Sequence, residues 1–85
     1  MPVVSRFYGI SIRIHGRDHG PPHFHVQYGE ERAAVEIATG NVLAGRMSPR
    51  TARLVGEWLA LHRLELQENW ECAQAGRPCF EIEPL

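Results

Sequence analysis

Four of the five histidines of this 85-residue chain lie within eleven residues, in the segment His15-Gly-Arg-Asp-His-Gly-Pro-Pro-His-Phe-His25. The imidazole of histidine titrates near neutral pH and is a common metal ligand. A cluster of four therefore indicates metal binding, proton transfer or anion binding, and the sequence leaves these three open.

The pair His23 and His25 has the spacing of two ligands on one strand. Residues i and i+2 of a β-strand share a face, with Cα atoms roughly 7 Å apart. If the preceding strand pairs with this one, His15 joins that face, and Asp18 in the connecting loop can close over it. The predicted ligands of a divalent transition metal, zinc or manganese, are therefore His23, His25, His15 and Asp18.

Two other readings of this segment stay open. A His-x-His pair is short and arises often by chance, so the imidazoles could simply face solvent or stack on an aromatic ring. A surface for anions or RNA phosphate is the other reading, with Arg6, Arg13, Arg17, His19 and Gln27 as its members. The absence of a wider basic patch favours an ordinary charged sheet edge over such a surface. No nucleophile is placed beside the histidines, so no catalytic residue is assigned.

Size and composition predict one small domain over residues 1–85. Apolar residues make up 44% of the chain, which is typical of a folded protein. No apolar run is long enough to span a membrane and no signal peptide is recognisable, so we expect a cytoplasmic protein with reduced Cys72 and Cys79. Residues 1–53 contain seven arginines and four acidic residues, whereas residues 54–85 contain two arginines and six acidic residues.

The first half of the chain alternates with period two, which predicts short strands. Over residues 9–14, Ile10, Ile12 and Ile14 share one face. Over residues 23–28, alternation places the aromatic and aliphatic side chains inward and His23, His25 and Gln27 outward. Further strands are predicted over residues 32–37 and 42–46, and the short turns between them predict an antiparallel meander.

Ser48-Pro49 marks a change from the strand period to the helical period. Serine is a favoured N-cap and proline a favoured first helical residue. The predicted helix covers about residues 49–75, ends before Gly76 and Pro78, and is long enough to allow a bend near residues 62–64. Within the tail, 76–85, the segment 79–85 alternates weakly and predicts an edge strand. The predicted fold class is α+β, with a small antiparallel sheet of about four strands within residues 2–46 and a long C-terminal helix across one face.

Several stretches of the chain resemble a family of small bacterial proteins called domain of unknown function 4160. They are Ser5-Arg-Phe-Tyr-Gly-Ile10, Asp18-His-Gly-Pro-Pro-His-Phe-His-Val26, Glu57-Trp-Leu-Ala-Leu-His-Arg63, Glu68-Asn-Trp-Glu71 and Ile82-Glu-Pro-Leu85. Together they span nearly the whole chain, and the Pro-Pro-His-Phe-His core is their most specific part. The resemblance implies a stand-alone domain, often encoded beside another small protein in a toxin–antitoxin-like arrangement. It implies no catalytic residues.

Two hypotheses for the function follow. The first is a cytosolic interaction or regulatory domain, one component of a toxin–antitoxin-like two-gene module, whose working surface is the histidine-bearing sheet face. Its expected partner is a protein; nucleic acid has weaker support, and the opposite charge of the two halves allows self-association. The second is a metal-dependent hydrolase, directed at RNA, that uses the histidine cluster. We favour the first, because no second carboxylate and no nucleophile accompany the cluster.

Overall fold

A computed structural model describes residues 2–85, which form an α+β fold of one antiparallel sheet followed by one helix. The elements are β1 (Val3–Phe7), β2 (Ile10–Arg13), β3 (His23–Tyr28), β4 (Glu31–Glu36), β5 (Val42–Arg46) and α1 (Pro49–Gln74). The strands lie in the sheet in chain order, which is the predicted meander. The sheet has five strands rather than about four, because residues Val3–Phe7 form a strand of their own and pair with β2.

The face of the sheet that packs against the helix carries the predicted apolar residues. Ile10, Ile12 and Ile14 are all 0% exposed. The ring centroid of Trp58, from the helix, lies 5.3 Å from that of Phe7 and 5.9 Å from that of Phe24. Burial of this apolar surface is the main driving force for a domain of this size, so the alternation of the strands decides which sheet face the helix covers.

The helix begins and ends where the sequence predicts. The Ser48 side chain accepts a hydrogen bond from the Thr51 backbone N–H at 3.3 Å, which caps the first turn. At the other end Gly76 has a φ of 72°, a conformation that glycine adopts readily at a helix C-terminus. The predicted bend is confirmed at His62, whose φ of −127° and ψ of 22° leave the helical range. Within residues 2–85, no helix combines the length and the apolar character needed to cross a bilayer.

The C-terminal tail is not the edge strand that its alternation predicted. One backbone hydrogen bond joins it to β1, from the Ile82 N–H to the Val4 carbonyl at 2.7 Å. Other backbone groups of the tail bond to helix side chains instead: Asn69 bonds to both the N–H and the carbonyl of Phe80, at 2.8 Å each. The prediction was wrong because helix side chains form hydrogen bonds with backbone groups of the tail that an edge strand would have used to pair with β1.

Candidate functional site

The sheet face opposite the helix, called the open face below, is assembled from two rows of residues that lie opposite one another across the strands. One row runs Arg6, Ser11, Gln27, Arg32 and Arg46. The second row runs Arg13, His25, Ala34 and Ala44. Directly opposed residues of an antiparallel sheet share a face, so side chains that are far apart in sequence become neighbours here.

The loop between β2 and β3 brings Asp18 to one end of the open face. The amide of Gln74, in the last turn of the helix, donates a hydrogen bond to the Asp18 carbonyl at 2.9 Å. The backbone N–H of His19 donates to the Asp18 carboxylate at 2.9 Å. The helix terminus and the loop's own backbone therefore hold this carboxylate in place.

Three of the four predicted metal ligands come together at this point. Ligand atoms of His15, Asp18 and His25 all lie within 4.8 Å of one another. The rings of His15 and His25 are stacked, with centroids 3.6 Å apart and planes 17° apart. Nε2 of His25 lies 3.4 Å from Oδ2 of Asp18. We call these three residues the His/Asp cluster.

His23, the fourth predicted ligand, has a different environment. Alternation predicted an outward-facing side chain, but the residue is only 7% exposed, because its ring packs against Trp70 with centroids 5.1 Å apart. Its Nε2 lies 3.0 Å from Oδ2 of Asp18, and its Nδ1 lies 2.8 Å from the carbonyl oxygen of Pro21. Both partners are acceptors, so the two hydrogen bonds form together only when both ring nitrogens carry a proton. His23 thus contacts Asp18 of the His/Asp cluster while its ring packs against Trp70 of the helix.

The surroundings of His15 and Asp18 shift the pKa values of these two groups. Burial, with the neighbouring positive charge of His25, lowers the pKa of His15. Partial burial acts to raise the pKa of Asp18, but hydrogen bonds from the His19 backbone and from the His25 and His23 imidazoles outweigh it and lower that pKa. Neutral imidazole and ionised carboxylate are the forms that bind metal ions.

A concavity of about 360 Å³ opens beside the cluster on the open face. Its lining includes Ala34 and Ala44, whose small side chains leave the space, and the polar residues Arg13, His15, His25, Gln27 and Arg32. The guanidinium of Arg13 donates a hydrogen bond to the Gln27 side chain at 3.2 Å. Donors from three strands, β2, β3 and β4, therefore surround a space large enough for a small anionic group.

The open face carries four arginines, of which sequence reasoning found Arg6 and Arg13 and missed Arg32 and Arg46. Within residues 2–85, no carboxylate oxygen lies within 4.0 Å of any of the four guanidinium groups. Alternation along β4 would have placed Arg32 on this face, since it lies opposite Gln27. A hydrogen bond from the Ser48 backbone, with a smaller contribution from the nearby charge of Arg46, lowers the pKa of the Glu31 carboxyl group. No carboxylate in the described part of the chain forms a salt bridge with any of the four arginines, so these cations make the open face basic.

Two residues of the predicted binding surface lie elsewhere. The Arg17 guanidinium sits at the end of the helix, where a Cβ on Gly76 would be 3.6 Å from its Nη2. There it faces the negative end of the helix dipole. His19 is exposed, and the hydrogen bond that links it to the site comes from its backbone rather than from its ring.

Residues 9–71 match the family model described as Domain of unknown function (DUF4160). The chain belongs to this family. The matched span of the DUF4160 domain contains the whole His/Asp cluster, His23, and three of the four arginines of the open face. No curated protein and no solved structure matches the chain.

Proposed function

We propose that this DUF4160 domain is an interaction module that binds an anionic macromolecule through the open face of its sheet. The observation that carries the proposal is the set of four arginines without a carboxylate partner, Arg6, Arg13, Arg32 and Arg46. The guanidinium group is a planar fork of donors that suits carboxylate and phosphate groups. Such a group binds an external anion most readily when no internal carboxylate competes for it.

The distribution of charge supports this choice of face. The net charge of the chain is only −1, but the charges are segregated. Glu57, Glu68 and Glu71 are exposed on the helix, whereas the open face is rich in arginine. Complementary potentials steer partners and fix their orientation, so an anionic partner approaches from the sheet side.

The apolar side chains that line the concavity of the open face are aliphatic, and they include the small residues Ala34 and Ala44. The cores of protein–protein interfaces are depleted of charge and enriched in aromatic residues. Within residues 2–85, no Phe, Tyr or Trp side chain lines this concavity. Such an arginine-rich face fits a phosphate-bearing strand or an acidic protein surface that binds through charge-assisted hydrogen bonds.

In the biological setting that we propose, the domain works in the bacterial cytoplasm as one component of a toxin–antitoxin-like two-gene module. Its partner there is the protein encoded beside it, or a nucleic acid. Both cysteines, Cys72 and Cys79, are free thiols, and free thiols are typical of a reducing compartment.

The test is a double substitution, Arg13→Ala/Arg32→Ala, at the rim of the concavity. We expect weaker binding to single-stranded RNA or to the co-expressed neighbouring protein. For RNA, the slope of log K against log salt should fall by about 0.7 for each lost phosphate contact. The matched control is Arg53→Ala on the helix, where Arg53 pairs with Glu57 at 2.9 Å. If the double variant binds both probes like the wild type, the open face is not the binding surface.

A metal-dependent hydrolase directed at RNA is the second candidate. The observation that favours it is the position of the His/Asp cluster, since His15 and His25 line the same concavity as Arg13 and Arg32. A metal-bound water beside a phosphate held by guanidinium groups is the arrangement that metal-assisted hydrolysis of a phosphodiester requires. This candidate requires a metal ion at the cluster, whereas the interaction module does not.

A further inference from the structure

We propose that His15, Asp18 and His25 form a mononuclear site for a divalent transition-metal ion, and that His23 is a positioning residue for the Asp18 carboxylate. The site lies at one end of the open face and is independent of anion binding by the arginines. The hydrolase candidate depends on it.

The separation of the ligand atoms fits one small ion. Metal–ligand bonds near 2.05 Å at a tetrahedral angle place two ligand atoms about 3.3 Å apart. Nε2 of His25 and Oδ2 of Asp18 are already 3.4 Å apart. The full set lies within 4.8 Å. The His15 ring is stacked on the His25 ring with planes 17° apart, so it must turn out of this stack before the in-plane lone pairs of both rings point at one ion.

The donor set selects the class of metal. Two imidazoles and one carboxylate suit borderline metals such as zinc, whereas magnesium prefers an all-oxygen octahedral shell. Three protein ligands leave at least one coordination position for water or substrate, as in catalytic rather than structural zinc sites. Two of the three ligands also line the concavity, so the open position is accessible from it.

Asp18 is held in place before any ion arrives. His23 Nε2 contacts its Oδ2 at 3.0 Å and the His19 N–H bonds to its Oδ1 at 2.9 Å. The His23 ring is itself fixed by Pro21 and Trp70. Hydrogen bonds that orient a ligand typically change metal affinity 10–100-fold, as an order of magnitude. The orientation of Asp18 by His23 is such a contact.

Untagged full-length protein is treated with a chelator and then titrated separately with zinc, manganese and magnesium. Calorimetry measures the binding in each titration. We expect one zinc ion per chain, and an affinity that is highest for zinc, lower for manganese and lowest for magnesium. Three variants, His15→Ala, Asp18→Asn and His25→Ala, should each lose about 100-fold or more in zinc affinity, because each removes a ligand rather than an orienting contact. Two of the ligands come from the loop between β2 and β3 and the third from β3, so the variants test the site from two segments of the chain.

The matched control is His19→Ala, which removes an exposed imidazole from the same loop but keeps the backbone N–H that bonds Asp18. It should bind zinc like the wild type. His23→Leu should bind about 10–100-fold more weakly, and His23→Gln, which keeps a donor near the Nε2 position, should recover most of that loss. Thermal unfolding of each metal-free variant is measured to check that the variant is folded.

Four outcomes overturn parts of this inference. The metal site is wrong if the wild type binds no stoichiometric zinc at micromolar concentration, if the three ligand variants bind as tightly as the wild type, or if His19→Ala loses binding as they do. The positioning role is wrong if His23→Leu leaves the zinc affinity unchanged. A failed metal site removes the hydrolase candidate and leaves the arginine-based interaction proposal standing.

Discussion

Asp18 shows at the scale of one residue how the site is organised. Its carboxylate contacts His23, His25 and the His19 backbone, and its carbonyl accepts a hydrogen bond from the helix. His23 and His25 differ in sequence position by two residues, yet one is buried against a tryptophan and the other lines the concavity. In the proposed metal site, the same residue type therefore takes an orienting role at position 23 and a ligand role at position 25.

The hydrogen bonds of Asp18 predict a pH-dependent contribution to stability. Its pKa is lower in the folded than in the unfolded chain, so its ionised form stabilises the fold above the unfolded pKa, and this contribution is lost as the pH falls through the folded pKa. We expect metal-free Asp18→Asn to be less stable than the wild type by about 1–2 kcal/mol at neutral pH. The measurement is urea unfolding followed by tryptophan fluorescence during stepwise acidification.

The difference between wild type and Asp18→Asn should shrink as the carboxylate becomes protonated. The control is Glu68→Gln on the exposed helix surface, which should show no comparable change. A difference that persists unchanged at acidic pH would contradict the assignment of the effect to the ionised carboxylate.

At the scale of elements, β5 determines how far the open face extends. All five of its residues are exposed, and its pairing with β4 shifts register near Ala34. Gly45 has a φ of 73° and lies against the Arg32 backbone. Glycine is needed at this point because a Cβ would overlap the Arg32 carbonyl oxygen. The close approach of β5 to β4 places Arg46 beside Arg32.

Gly45→Ala is predicted to destabilise the edge of the sheet. The positive φ costs about 1 kcal/mol for alanine, and overlap with backbone adds about 1–3 kcal/mol. The matched control is Gly29→Ala, where φ is also positive, at 58°, but no atom would contact the new Cβ. Gly29→Ala should lose only the part of the stability that the positive φ costs. Denaturant unfolding measures the stability of both variants. Equal losses of stability would show that overlap with the Arg32 backbone does not contribute to the effect of Gly45→Ala.

At the scale of the whole molecule, the C-terminal tail joins the helix to the sheet. Trp58 donates its indole N–H to the Glu83 carbonyl at 2.8 Å, and Ile82 bonds to β1. Ile82 is 3% exposed and belongs to the core, whereas Phe80 in the same tail is 37% exposed. The tail thus packs against the helix and β1, on the side opposite the open face.

Ile82→Ala is predicted to destabilise the domain by about 2–4 kcal/mol, because it removes buried apolar atoms and leaves a cavity. Phe80→Ala is the matched control, since the backbone bonds of Phe80 to Asn69 survive and its side chain is only partly covered, at 37% exposed. Its loss should be smaller than that of Ile82→Ala, at about 1–2 kcal/mol. Thermal and denaturant unfolding measure both. Equal effects of the two substitutions would mean that the tail does not contribute through the burial of Ile82.

The sequence by itself determined most of the elements and the buried face, although it missed β1 and wrongly predicted a strand in the tail. Period-two alternation placed Ile10, Ile12 and Ile14 in the core, and Ser48-Pro49 placed the helix start, because backbone preference and side-chain periodicity are local properties. The sequence also named His15, Asp18 and His25, which meet in the His/Asp cluster, but tertiary structure decided how these side chains are held. Asp18 is held by Gln74, 56 residues away, and Arg32 reaches the open face through strand register. His23 is buried because the helix covers it. Such contacts depend on how distant segments pack, which no local pattern encodes.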